Sequence, residues 1–146
     1  MSGTEKLRDL AIGLIWVLPL AAHPLAAVSL APVPAVHEVD WRASPLDLNL
    51  RGINGARFRF QCPPGRLVPG QVIGSGPYTD NSSICAAGVH AGVIGAASGG
   101  LVTIEVLPGE AHYRATLRHY VQSNEYDGFW SGSFLIVAEG SAAHLP

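Results

Sequence analysis

Polar and apolar residues alternate strictly over Arg57-Phe-Arg-Phe-Gln-Cys62, and this period of two predicts a half-buried strand with Phe58, Phe60 and Cys62 facing inward. Pro63-Pro64-Gly65 ends it. Residues 71–74 predict a second short strand, and Gly74, Gly76 and Pro77 a turn that leads into Tyr78. The period then changes: residues 82–91 read as a short helix, with Asp80 or Ser82 able to cap its first N–H groups and Gly92 able to end it in the left-handed conformation. Its side chains are small (Cys85, Ala86, Ala87, Gly88, Ala91), and a helix apolar on every side belongs inside a core. Residues 96–100 read as a flexible loop. Leu101-Val-Thr-Ile-Glu-Val-Leu107 is the strongest strand pattern, with Val102, Ile104 and Val106 inward and Pro108-Gly109 as the turn after it. Residues 120–123 and 133–137 predict later strands, separated by an aromatic loop over 124–130.

The first thirty-five residues differ from the rest. Lys6 and Arg8 precede an unbroken apolar run from Leu10 to Ala22, followed by alternating Pro, Ala and Val, the layout of a secretory signal peptide. The span 1–35 is therefore expected to be a signal peptide, with an uncleaved membrane anchor as the alternative; Pro19, His23 and Pro24 interrupt the spanning helix an anchor would need. Membrane contact is expected only through such an uncleaved leader. Residues 36–50 read as a linker on which Trp41 can still dock, residues 51–138 as one domain, and residues 139–146 as a disordered tail. A chain of 146 residues is long enough for one core and short enough to profit from a staple.

Beyond position 35 the chain carries seven Arg, nine Asp or Glu and no Lys. That composition has no basic excess of the kind nucleic-acid binders use, so no nucleic-acid partner is expected. The histidines offer no pair at the i, i+4 spacing, there is no Cys-x-x-Cys, and Asp80-Asn81 lacks the alternating oxygens of a calcium loop. Neither a metal nor another cofactor is expected. Asn81-Ser82-Ser83 fits a glycosylation sequon, placed where a helix start leaves little room for a glycan.

The string Tyr78-Thr-Asp-Asn-Ser-Ser-Ile-Cys-Ala-Ala-Gly-Val-His-Ala-Gly92 resembles the signature of the LCCL domain, an extracytoplasmic module. The resemblance extends through 58–65, 100–109 and 130–134. It implies an α+β fold in which a short central helix is wrapped by twisted β-sheets, and a non-enzymatic binding role. The positions it marks are Tyr78, Asp80, Ser82, Ser83, Ala87, His90 and Gly92. One departure matters: Arg66 stands where animal LCCL domains usually have the cysteine that pairs with the helix cysteine.

Cys62 and Cys85 are the chain's two cysteines, so Cys62 is the partner left for Cys85. In an exported domain an even count favours a disulfide, and closing a loop of about 23 residues is worth ~3 kcal/mol in the chain-entropy estimate. Two buried free thiols are the alternative. Cys85 with His90 invites a nucleophile-and-base reading, but five helical positions turn the side chains about 140° apart. A histidine bonded to backbone or hydroxyl groups in the core is the simpler expectation.

Two arginine groups are candidates for ligand binding: Arg57, Arg59 and Arg66 around the first strand, and Arg114 and Arg118 near His112, Tyr113, His119 and Tyr120. Guanidinium groups pair with phosphate and carboxylate through parallel hydrogen bonds, although strand alternation alone also puts arginines on a solvated face. The aromatics of 124–130 can stack on sugar rings or plug the core. Together these features predict a secreted or periplasmic binding module for an anionic glycolipid, a polysaccharide or an envelope protein. The alternatives are a structural or protein-interaction module without a small ligand and, last, a hydrolase using Cys85.

Overall fold

A computed structural model describes Gly13, Ile15 and residues 34–66 and 68–138. The chain divides into two compact units, residues 1–31 and 32–146. The expected leader and tail lie outside the described residues, apart from Gly13, Ile15 and residues 34 and 35 of the leader. Among the described residues no helix is long and apolar enough to cross a membrane.

The second unit is an α+β domain. Its strands are β1 (Val36–Glu38), β2 (Arg57–Cys62), β3 (Tyr78–Thr79), then, after helix α1 (Ile84–His90), β4 (Gly100–Tyr113), β5 (Leu117–Arg118), β6 (Val121–Gln122) and β7 (Tyr126–Val137). Five strands form one sheet in the order β1-β2-β4-β7-β3, and β5 and β6 form a separate hairpin. The β2 alternation locks into β4 in antiparallel register, Phe60 opposite Val102 and Cys62 opposite Gly100. Val102, Ile104 and Val106 are buried with Phe60, Tyr78 and Phe134 in a core that α1 completes.

All seven residues of α1 are buried. Small side chains allow this: a Cβ added at Gly88 would stand 2.7 Å from Val102 Cγ2 and 3.3 Å from Ile94 Cγ1. The helix is shorter than the expected 82–91, and its cap is Ser83, not Asp80 or Ser82. The Ser83 hydroxyl accepts from Ala86 N at 3.0 Å and donates to the Trp41 carbonyl at 2.6 Å, so the cap is pinned from outside the helix. Ser82 turns the other way and accepts from Ile73 N at 2.9 Å.

Several expectations need correction. The supposed linker 36–50 is part of the fold. β1 pairs in parallel with β2, Trp41 is buried, and Ile84 N at the helix start donates to the Ala43 carbonyl at 3.0 Å. This segment supplies acceptors for donors that a helix N-terminus leaves unmatched. Pro108-Gly109 is no turn: β4 runs through it, Pro108 sits opposite Gly132, and the register shifts between Glu110 and His112. A Cβ at Gly109 would fall 1.8 Å from the Trp130 carbonyl oxygen, so glycine here serves a close approach of two strands. Residues 126–130 lie in β7 instead of a loop. Residues 71–74 form isolated bridges, Ile73 with Asn124 and Gly74 with Tyr78, rather than a strand. Residues 120–123 contribute only β6, and residues 96–100 close through a Gly95–Gly99 bridge.

Candidate functional site

The signature residues are spent on structure. Cys62 and Cys85 form a disulfide that ties the end of β2 to α1, so Cys85 has no thiol to offer. His90 is fully buried. Its Nε2–H donates to the Thr116 carbonyl at 3.1 Å, which leaves Nδ1 to accept from the Tyr78 hydroxyl at 2.9 Å. Burial pushes the imidazole pKa down, and the nearby Arg118 and His119 push it the same way against the opposing bond to Thr116. The Tyr78 phenol is held above its ordinary range by its own burial. Ala87 lies in the core, and Gly92 adopts φ +79° just after the helix.

Asp80 has a role the sequence did not reveal. Its buried carboxylate accepts from Arg51 Nε at 2.6 Å, Arg51 Nη2 at 2.8 Å and Trp130 Nε1 at 2.7 Å. Burial alone pushes this carboxyl up, but the bonds from Arg51 and Trp130 and the Arg51 charge outweigh it and hold the pKa below the ordinary value. Arg51 also stacks over the Trp130 ring at 5.7 Å. Asp80 thus joins the β7 strand to the segment before β2.

The candidate arginines do not gather at one place. Arg57 forms an ion pair with Glu105 across the β2–β4 ladder at 2.8 Å, and Arg59 is half-buried beside it on β2. Arg118 donates to the Ser75 carbonyl at 3.0 Å. Arg114 is exposed at a cleft of about 200 Å³ with Glu110, His112 and Tyr113. Arg66 is exposed at the rim of the largest described groove, about 770 Å³, which lies between residues 92–96 and the β5–β6 hairpin. Its volume falls in the range of small-ligand sites.

The hairpin wall of that groove is built against backbone preference. His119 and Tyr120, the two turn residues between β5 and β6, have φ +48° and +63°. Such a turn normally takes Asn-Gly, and a left-handed residue with a side chain costs roughly 1 to 2 kcal/mol. His119 has a structural reason to be there: its Nδ1–H donates to the His90 carbonyl at 3.0 Å, and its ring covers Gly92, where a Cβ would come within 2.4 Å. Tyr120 is fully exposed, at 104% of its reference area. A second pocket of about 300 Å³, lined by His37, Leu48, Leu50 and Phe58, lies beside the edge strand β1.

Among the described residues no group of three or more His, Cys, Asp or Glu is arranged to hold a metal. The family model for the LCCL domain matches residues 39–134. The chain belongs to the LCCL domain family. It is 33% identical to bovine (Bos taurus) cochlin over 131 residues, 88% of this chain and 21% of cochlin, and 35% identical to bovine vitrin over 95 residues, 64% of this chain and 14% of vitrin. It is also 41% identical over 71 residues to the human (Homo sapiens) cysteine-rich secretory protein LCCL domain-containing 2, 44% of this chain and 14% of that protein. The chain therefore spans about a fifth or less of these relatives.

Proposed function

We propose that this LCCL domain is an extracytoplasmic, non-enzymatic binding module that recognises an anionic surface component such as a glycolipid, a polysaccharide or an envelope protein. The observation that carries the reading is the separation of roles in the domain: Cys85 and the marked residues His90 and Asp80 are internally bonded, while Arg66 and Arg114 stand exposed at clefts. A disulfide across the core and the secretory relative support a place outside the cytoplasm. Binding through guanidinium groups weakens as salt screens them. The test is titration of the protein with phosphatidylglycerol and phosphatidylcholine vesicles at low and high salt. Salt-sensitive preference for the anionic vesicle is expected; equal binding to both refutes the anionic reading, and binding to neither refutes its lipid member.

A protein-interaction module without a small ligand is the second reading, and the exposed three-residue edge strand β1 favours it, because an edge presents unpaired backbone groups to a partner strand. Recovery of one specific protein from an envelope extract, with no binding to lipid, supports that reading over the first.

A further inference from the structure

We infer that the groove between residues 92–96 and the β5–β6 hairpin is the binding site for an anionic amphiphile with one alkyl or acyl chain, held by Arg66 at the charged end and by Tyr120 along the chain. The inference rests on the anionic reading above and gives it a location. Three independent observations converge on it. The groove's described lining includes Val89, Val93, Ile94 and Val121, an aliphatic patch against which a hydrocarbon chain can lie, beside the polar side chains of Arg66, His119 and Gln122. Arg66 stands at its rim, and no carboxylate is among its described lining residues, so the field inside favours an anion. Tyr120 holds a left-handed backbone conformation that disfavours any residue with a side chain, yet its ring is fully exposed. His119 is compensated by its bond to the His90 carbonyl and its cover over Gly92; Tyr120 has no such compensation in the described packing, and strain of this kind gathers at ligand-holding positions.

The hairpin is also anchored well enough to serve as a wall. His90 bonds the Thr116 carbonyl, Ser123 N donates to the same carbonyl at 2.9 Å, and Thr116 N donates to the Ser123 hydroxyl at 2.9 Å, so both legs of the hairpin are fixed at the helix end. A ligand therefore meets a preformed cleft, which lowers the ordering cost of binding.

Tyr120→Gly separates binding from folding, because glycine suits φ +63° better than tyrosine does. Calorimetric titration with dodecyl phosphate, dodecyl maltoside and inorganic phosphate, each amphiphile below its micelle concentration, supplies the readout. Dodecyl phosphate is expected to bind one per chain, at least about tenfold tighter than either control, since the controls lack the charge or the chain. Tyr120→Gly should weaken it about fivefold or more with an unchanged or raised melting temperature, and Arg66→Ala about tenfold or more. Equal affinity for dodecyl maltoside overturns the anionic part of the inference. Parent-like binding by both variants, with loss in Arg114→Ala, overturns the groove and leaves the anionic function standing. Failure of the folded protein to bind dodecyl phosphate and anionic vesicles alike overturns the inference together with the lipid member of the proposed function.

Discussion

Replacing Asp80 with Asn tests whether a buried carboxylate organises this domain. Asp80 is only 1% exposed and accepts three side-chain hydrogen bonds, two from Arg51 and one from Trp130. Its backbone adds two more links, N–H to the Gly132 carbonyl at 3.0 Å and carbonyl from Leu46 N at 2.8 Å, which the substitution leaves in place. Asparagine keeps the shape, loses the charge, and must turn its NH2 toward either Arg51 or Trp130, both donors. Each charge-assisted bond is worth roughly 1.5 to 3 kcal/mol, but the Arg51 side chain keeps 35% of its exposure, so its share is discounted for solvent screening. The net expectation is a loss of about 2 to 4 kcal/mol. For a domain of this size that corresponds to a fall in melting temperature of roughly 10 to 25 °C. The pH dependence supplies a second signature. A carboxyl whose folded pKa is depressed stabilises fully above its unfolded pKa and loses that contribution as pH falls through the folded value. Asp80→Asn should therefore narrow the gap to the parent at strongly acid pH. Thermal unfolding by circular dichroism between about pH 2 and 7 reads both effects. A variant that melts within about 2 °C of the parent at neutral pH would refute the reasoning.

Protein made in an oxidising compartment should show no reactive thiol when unfolded without reductant, and reduction should cost ~3 kcal/mol; two titratable thiols per chain would count against the disulfide. Gly88→Ala should destabilise although it gains up to about 1 kcal/mol of helix propensity, because the new methyl meets Val102 Cγ2 at 2.7 Å and overpacking costs ~1 to 3 kcal/mol; a raised melting temperature contradicts the close contact of helix and sheet. His90 stays neutral in the fold while the unfolded imidazole takes up a proton. Stability should thus fall as pH drops below about 6.5 toward the depressed folded value, and His90→Gln should lose that slope. His90→Ala should lower chemical stability by about 1 to 3 kcal/mol, since it leaves the Tyr78 hydroxyl and Thr116 carbonyl short of a partner; unchanged unfolding with abolished binding would point to direct ligand contact.

The parts of the fold legible in the sequence are those governed by near neighbours. Period-two alternation gives the inward faces of β2 and the first half of β4, and the run of small residues gives a buried helix. What escapes is set by distant partners. Asp80 reads locally as a cap, yet its bonds reach 29 residues back and 50 forward. Pro108-Gly109 reads as a turn because those residues usually make one, and only β7 lying alongside keeps it within a continuous strand. Segment 36–50 has a linker's composition, and its order comes from the burial of Trp41 and from donors at the start of α1. Among the proposed ligand residues, Arg57 has no distinguishing mark in the sequence, since Glu105 is brought opposite it only by the β2–β4 register. His119-Tyr120 carries no Asn-Gly signal, so the hairpin that walls the groove is invisible to turn rules.

Because every residue of α1 is buried and Tyr78, Asp80, Ser82, Ser83 and His90 are internally bonded, the stretch by which the family is recognised meets the groove only at its end, through Val89 and Gly92. Heredity of the scaffold and heredity of the specificity are thus uncoupled. Tyr120 and the groove rim can change while His119 and the interior stay the same, and two relatives with identical signatures can serve different ligands.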